Sequence, residues 1–215
     1  MYETIVFDLD GTLLDTLADL HAAVNFALGK YGFPKRTKDE VRSFVGNGIA
    51  MLIKRAIGKE TPLFEAVLQA FKEYYAAHCA DETRAYAGIL PLLKNLQAKG
   101  IKTAVVSNKA DFAVKKLAEE YFGGLLLAAV GEDEANGVRK KPAPDSLLAV
   151  MEKLGADKQK TAYVGDSEVD IQTAQNAGVA CISVTWGFKD KDFLIENGAT
   201  VLIDDPDEIL QYCIQ

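Results

Sequence analysis

The sequence predicts an α/β protein, a doubly wound parallel sheet carrying an inserted helical cap domain, and three observations point to it. Short apolar runs without polar alternation, at 4–7, 103–106, 125–130, 161–164, 181–184 and 201–203, have the pattern of strands covered on both faces. From residue 89 onward these runs alternate with helical patterns, the order that builds a parallel sheet. Residues 16–85, by contrast, hold helical patterns and no predicted strand. The expected division is therefore a core of residues 1–15 and 86–215 and a cap of residues 16–85.

Taken in order, the first strand ends where two acids begin, Asp8-Leu9-Asp10-Gly11-Thr12. Side chains on a strand alternate, so Asp8 and Asp10 project to one side and Leu9 turns to the core. Gly11 permits a sharp turn and Thr12 adds a hydroxyl there. Two carboxylates this close cannot both ionise cheaply, and one should hold its proton longer. Leu17, Leu20, Val24, Ala27 and Leu28 then recur at helical spacing until Gly32-Phe33-Pro34. Thr37-Lys38-Asp39-Glu40 is a capping box opening a short helix through Phe44. Gly46-Asn47-Gly48 interrupts it, and 49–57 reads as the next helix. Thr61-Pro62 reads as a cap followed by proline at the first helical position, ahead of an apolar face of Phe64, Val67, Leu68, Phe71 and Tyr75. Beyond it, Gly100, Gly155 and Gly178 stop three predicted helices. Ser107-Asn108-Lys109 and Gly165-Asp166-Ser167 follow two predicted strands as loops.

The bulk numbers exclude several classes. A net charge of −7 with no Lys/Arg-rich run argues against nucleic acid as partner. No apolar run reaches the ~18 residues of a membrane span, and no signal peptide is expected. The 3 cysteines, Cys79, Cys181 and Cys213, share no metal-like spacing and read as reduced thiols. The expectation is a cytoplasmic protein, a monomer or weak homodimer, without nucleic-acid or membrane partners.

Ligands of open α/β sheets bind beyond the carboxyl ends of the strands. Asp8/Asp10, Ser107/Asn108 and Asp166/Asp170 occupy such ends, with Asp170 one helical turn beyond Asp166, and Lys141 precedes Pro142-Ala143-Pro144 in a loop before a helix. Taken singly, each has a plain reading: an Asx turn, an N-cap pair, a helix start, a solvated lysine. Together they describe a cleft of about minus three if Asp10 is protonated, and such a cleft needs compensation. A hard divalent cation suits all-oxygen ligands, so Mg²⁺ with Lys141 would approach neutrality. A phosphoryl group could then be held by Ser107 and backbone N–H groups, with Asp8 as nucleophile.

Asp8-Leu9-Asp10-Gly11-Thr12, Val106-Ser107-Asn108, Lys141-Pro142 and the segment from Gly165 to Asp170 resemble, in that order, the four signature motifs of the haloacid dehalogenase superfamily. Phe44-Val45-Gly46-Asn47-Gly48, residues 83–88 and residues 140–145 further resemble its phosphoglycolate phosphatase branch. The resemblance implies a Rossmann-like core with a helical cap and a small-molecule phosphate ester as substrate. It implies that Asp8 attacks phosphorus and binds Mg²⁺, and that Asp10 protonates the leaving oxygen, activates water and binds Mg²⁺ through its main-chain carbonyl. Asp166 would be a further metal ligand and Asp170 a ligand or the orienter of one. Thr12, Ser107, Asn108 and Lys141 would bind the phosphoryl end. Gly46 and Asn47, in a loop opening a helix, are the candidates for a substrate carboxylate, with Arg42 and Lys54 flanking them. A second aspartate two residues after the first disfavours dehalogenation, because halide needs no proton to leave.

Rival readings remain. The superfamily's sugar-phosphate mutases carry a cap histidine one position earlier than His21, and one residue is about a 100° turn on a helix. A pyrophosphatase of the superfamily is another alternative. A non-enzymatic phospho-ligand module is disfavoured because Asp8, Asp10 and Lys141 are all present. An aspartate-phosphorylated receiver domain is disfavoured by the long helical insertion.

Overall fold

The computed structural model describes residues 1–213. Six strands form one parallel sheet: β1 (Thr4–Phe7), β4 (Lys102–Ala110), β5 (Ala128–Glu132), β6 (Thr161–Gly165), β7 (Ala180–Val184) and β8 (Leu202–Ile203), in the order β5-β4-β1-β6-β7-β8. The remaining two, β2 (Leu14–Asp15) and β3 (Arg84–Ala85), pair antiparallel with each other. The chain builds outward from β1 to β4 and β5, then returns to the other side of β1 for β6, β7 and β8. The order thus reverses at β1, and the crevice forms beyond its carboxyl end.

Period-two alternation explains how helices cover both faces. Ile5 and Phe7 join a cluster that includes Leu92 and Leu96 of α5 (Ile89–Ala98) and Val114 and Leu117 of α6 (Asp111–Phe122). Val6 turns to the other face, against Val150 and Met151 of α7 (Asp145–Leu154) and Ala174 of α8 (Glu168–Ala177). Both faces of β1 are fully buried, which is why its sequence shows no alternation. Truncating Phe7 to alanine would cost roughly 3–5 kcal/mol. A last short helix, α9 (Lys191–Glu196), lies between β7 and β8.

Between β2 and β3 lie α1 (Leu17–Lys30), α2 (Lys38–Phe44), α3 (Ile49–Ile57) and α4 (Phe64–His78). Their apolar faces pack on one another, α1 mainly on α4, and join the cluster on one face of the sheet. The buried carboxylate of Asp19 in α1 accepts from the backbone N–H groups of Glu82 and Thr83 and from the Thr83 hydroxyl, tying the exit of α4 back to α1. The Thr37–Glu40 capping box forms as expected. Among the described residues no helix is long and apolar enough to cross a membrane.

Several expectations need correction. The segment before β5 was expected to be strand from residue 125, but the strand starts at Ala128. Gly123 and Gly124 end α6, and residues 125–127 cross to the sheet edge with Leu127 exposed. The first regular turn of α4 begins at Phe64, because Thr61 accepts from the Leu63 N–H through its hydroxyl and caps a preceding turn. The pair β2/β3 was not foreseen, since two-residue strands are too short to show a period. The largest change concerns β4, which continues through the expected loop at Ser107-Asn108-Lys109 to Ala110, with a register shift against β5 between Val106 and Ala110. These three polar residues therefore stand on a bulged strand end, a feature that re-aims side chains.

Candidate active site

Asp8 follows β1 directly, and its N–H still donates to Val164 O of β6 at 2.8 Å. Its Oδ1 accepts from the Leu9 N–H at 2.7 Å and lies 3.0 Å from Lys141 Nζ. Gly11 turns the chain at φ +80°, where a Cβ would meet Asp166 Oδ2 at 2.3 Å, so only glycine lets this loop lie against Asp166. Asp166, at the end of β6, accepts from the Phe188 N–H at 2.7 Å and weakly from the Thr12 hydroxyl at 3.4 Å. Asp170, in the first turn of α8, has both oxygens engaged. Lys141 Nζ lies 2.7 Å from Oδ1, while the Ser167 N–H and hydroxyl donate to Oδ2 at 3.0 and 2.6 Å.

Lys141 is set in place by Asn108. The Asn108 Oδ1 accepts from the Lys141 N–H at 2.8 Å, and its amide donates to Lys141 O and to Gly46 O in the helical insert. The Lys141 ammonium touches Asp8, Asp170 and the Tyr163 hydroxyl, the last at 2.9 Å. A second lysine, Lys109, meets Asp10 at 2.8 and 3.1 Å and the hydroxyl of Tyr75, a residue of α4. Thr16 donates to Asp10 as well, at 2.7 Å.

Burial raises Asp8 to about 6 against the pull of Lys141, with Asp170 adding to the rise. Burial and the charges of Asp170 and Asp8 push Asp166 well above the usual carboxylate range. Desolvation works against the charge on Lys141, yet Asp170 and Asp8 beside it hold it well above an ordinary lysine. Asp10 is paired with a cation of its own, Lys109, while the upward shift resolved in this acid pair falls on Asp8. Four carboxylates, Asp8, Asp10, Asp166 and Asp170, thus face two ammonium groups, Lys109 and Lys141. With all four ionised, about two negative charges are left unmatched, the charge of one divalent cation, whose presence would favour the ionised forms of Asp8 and Asp166. Carboxylate oxygens of Asp8, Asp166 and Asp170 lie within 4.8 Å of one another, so this donor set fits a hard metal ion.

Asp8, Asp10, Ser107, Asn108 and Asp166 share the wall of one cavity. Gly46, Gly48, Ile49, Leu52 and Tyr75 of the insert line it from the other side. Lys141 and Asp170 bear on the cavity through Asp8 and Ser167. Lys141 is thus one expected binding residue that is not on its wall, and two more are absent from it. Thr12 is fully buried, with its hydroxyl on Asp166 and its carbonyl accepting from Trp186. Asn47 lies between two wall glycines but does not line the cavity. Asn108 is on the wall, yet its amide braces Lys141 and Gly46. Of the two flanking cations, Arg42 donates to the carbonyls of Gly187 and Phe188, and Lys54 lines a separate surface groove. Sequence reasoning missed Lys109, Tyr75 and the Phe188 N–H. Tyr75 was read only as part of an apolar face, and a lysine after two polar residues reads as solvated. The bulge that turns Lys109 inward leaves no mark in the sequence.

Comparison with known proteins agrees with this geometry. The family model described as haloacid dehalogenase-like hydrolase matches residues 5–184. The chain is 38% identical over 205 residues to a phosphoglycolate phosphatase of Agrobacterium fabrum, covering 93% of this chain and 87% of that one. It is 35% identical to a phosphoglycolate phosphatase of Pseudomonas syringae pv. syringae, covering 98% of this chain and 79% of that one. A crystal structure from Lactobacillus delbrueckii subsp. bulgaricus, provisionally labelled phosphoglycolate phosphatase, superposes with a TM-score of 0.91 at 39% identity, covering 97% and 96% of the two chains. With the match running from β1 to the end of β7 and the likeness from end to end, the chain belongs to the haloacid dehalogenase-like hydrolase family and is a phosphatase of it.

Proposed function

We propose that the protein hydrolyses a small phosphate monoester, 2-phosphoglycolate first among candidates, through a phosphorylated Asp8. The observation that carries this reading is the carboxylate cluster of Asp8, Asp166 and Asp170 with Lys141, set at the strand ends beneath the helical insert. The acid substrate is suggested by the relatives named phosphoglycolate phosphatase.

In this reading an oxygen of Asp8 attacks phosphorus and the bond to the leaving oxygen breaks. Lys141 and the Leu9 N–H hold the attacking carboxylate in one orientation. Asp10, carrying a proton at that moment, gives it to the departing oxygen. The resulting carboxylate then takes a proton from water, whose oxygen attacks phosphorus and frees Asp8. Lys109 and Thr16 keep the Asp10 carboxylate fixed between the two steps. Ser107, on the cavity wall with Asp8, stands beside the phosphoryl position. Mg²⁺, held by Asp8, Asp166 and the Asp10 carbonyl, would supply charge neutralisation of the phosphoryl oxygens. Asp170 serves as the orienter of Lys141 and Ser167, since both its oxygens are already engaged.

Residues 16–85 act as a cap domain hinged at β2/β3, closing the cavity against bulk water and favouring small substrates. Gly46 and Gly48, just ahead of α3, line the cavity at a helix N-terminus, a position that suits an anion. Phosphate release from 2-phosphoglycolate, ethyl phosphate, a hexose phosphate and a phosphoprotein, each with and without Mg²⁺, tests the reading. We expect metal-dependent turnover and a preference for the acid. Efficient turnover of the phosphoprotein would refute the closing cap, and a preference for the hexose phosphate would move the protein to another branch.

A further inference from the structure

Two polar groups on the cavity wall, Lys189 and Tyr75, have no task in the chemistry above, and the Lys189 ammonium sits over the Phe193 ring. Tyr75 comes from α4, is 2% exposed, and lines the cavity. Its oxygen lies 2.5 Å from Lys109 Nζ. An ammonium group has only protons to offer, so the phenol oxygen accepts at this contact and its own proton must point elsewhere. Among the described residues that proton has no acceptor. The other buried lysine shows the contrast. Tyr163 also accepts from Lys141, but passes its proton to Val106 O at 2.6 Å.

We propose that Tyr75 is a substrate-contacting residue whose O–H donates to an anionic group next to the leaving oxygen, the carboxylate of a phosphorylated hydroxy acid. The placement supports this. Lys109 joins Tyr75 to Asp10, so the phenol stands two hydrogen bonds from the group that protonates the leaving oxygen. A carboxylate one carbon removed from that oxygen falls within this span. The neighbouring wall from the insert is Leu20, Val45, Ile49 and Leu52, none of which carries a side-chain donor for an anion. Lys109 polarises the phenol that bonds it, which strengthens the outward donor. Burial keeps the phenol protonated. The inference rests on the phosphomonoesterase reading and adds the residue that recognises the leaving group.

Tyr75→Phe removes the oxygen and keeps the ring that stacks on Phe71. The measurement is kcat/KM, with Mg²⁺, for 2-phosphoglycolate and for ethyl phosphate, which has the same chain length and no carboxylate. The expected result is a selectivity ratio lowered about tenfold, the scale of one hydrogen bond to a charged group, with most of the change in KM. Inhibition of p-nitrophenyl phosphate hydrolysis by glycolate should weaken by a similar factor. An unchanged ratio, whether both rates hold or both fall, overturns the inference and leaves Tyr75 as a brace for Lys109, with the substrate reading intact. A wild type that handles both esters alike overturns the inference and the substrate reading together.

Discussion

Lys141 and Lys109 are both buried, and each meets an aspartate and a tyrosine hydroxyl, yet the groups that touch the Lys141 ammonium all come from the core sheet and its loops, while those that touch the Lys109 ammonium join the sheet to the helical insert. Asp8, Asp170, Tyr163 and Asn108 surround Lys141, and all of them are carried by β1, β4, β6 or the start of α8. Tyr163 closes that network by donating to Val106 O. Lys109 holds Asp10 from the sheet and Tyr75 from α4, and the network stops at the phenol proton. The difference teaches a division of labour: the ammonium contacts of the first set are complete within the core, and that set reaches the insert through the Asn108 amide on Gly46 O, whereas the second set is complete only with the insert docked and a ligand present. The most sensitive test is to break each set in turn.

The largest effect is expected at the centre of the first set. Asp8→Asn keeps an oxygen for the Leu9 N–H and removes the nucleophile, so turnover should fall more than about 10⁴-fold. Far-UV circular dichroism and the melting temperature should stay near wild type, because a group already raised to about 6 loses little on becoming neutral. Phosphate release near the wild-type rate would end the covalent mechanism. Asp10→Asn tests the second set. Loss of a general acid should slow the burst phase about 10²–10⁴-fold for an ester with a basic leaving oxygen. It should slow the burst for p-nitrophenyl phosphate much less, and equal losses would remove the acid role.

The two lysines come next, compared by urea unfolding at pH 7. Lys141→Met strands Asp170, which is fully buried, and a broken buried pair costs roughly 3–5 kcal/mol. Lys109→Met strands Asp10, whose side chain is 12% exposed and keeps the Thr16 hydroxyl, so about 1–3 kcal/mol is expected. A larger loss for Lys109→Met would invert the comparison and make the bond to the insert the stronger one.

The first set was largely legible in the sequence, and the second was not. Asp8, Asp166 and Asp170 sit at or just past strand ends, where the rule that ligands gather brings them together, and Lys141, in the loop before α7, joins them as the cation that their charge demands. Lys109 depends on β4 running past Asn108 through a register shift, which comes from pairing with β5 rather than from local propensity. Tyr75 depends on how α4 folds back over the sheet, a long-range fact that an apolar helical face does not encode. Thr12 was placed at the substrate because a turn hydroxyl beside two acids invites that reading, and the close packing of Gly11 on Asp166 turns it inward instead. The ion pair that Asp10 makes with Lys109 was hidden for the same reason. The fold was readable where both faces of a strand are buried, as in β1, and unreadable in β2/β3, where two residues show no period.

The smallest effect should come from the contact that straps the insert to the core loop after β7. Arg42 of α2 donates through Nε to Phe188 O at 2.7 Å and through Nη2 to Gly187 O at 2.9 Å, and the Phe188 N–H in turn donates to Asp166. A guanidinium that bonds two carbonyls of one loop pins that loop while leaving the reacting groups untouched. Arg42→Ala removes both bonds, which are partly exposed, so a loss of about 1 kcal/mol is the expected scale. If the strap serves closure, KM for 2-phosphoglycolate should rise about fivefold with kcat little changed, because the insert must dock without it. If kcat falls instead and KM holds, the strap acts on Asp166 through Phe188, and the boundary drawn between the core set and the insert would have to move to include Arg42. Asn47→Ala is the companion measurement: with Asn47 off the cavity wall, its KM should stay within about twofold of wild type, the range of an ordinary surface substitution. A rise for Asn47→Ala equal to that for Arg42→Ala would mean that the loop from Gly46 to Gly48 closes on the substrate by a movement of the whole insert, and that Arg42 is only one of several points holding it down.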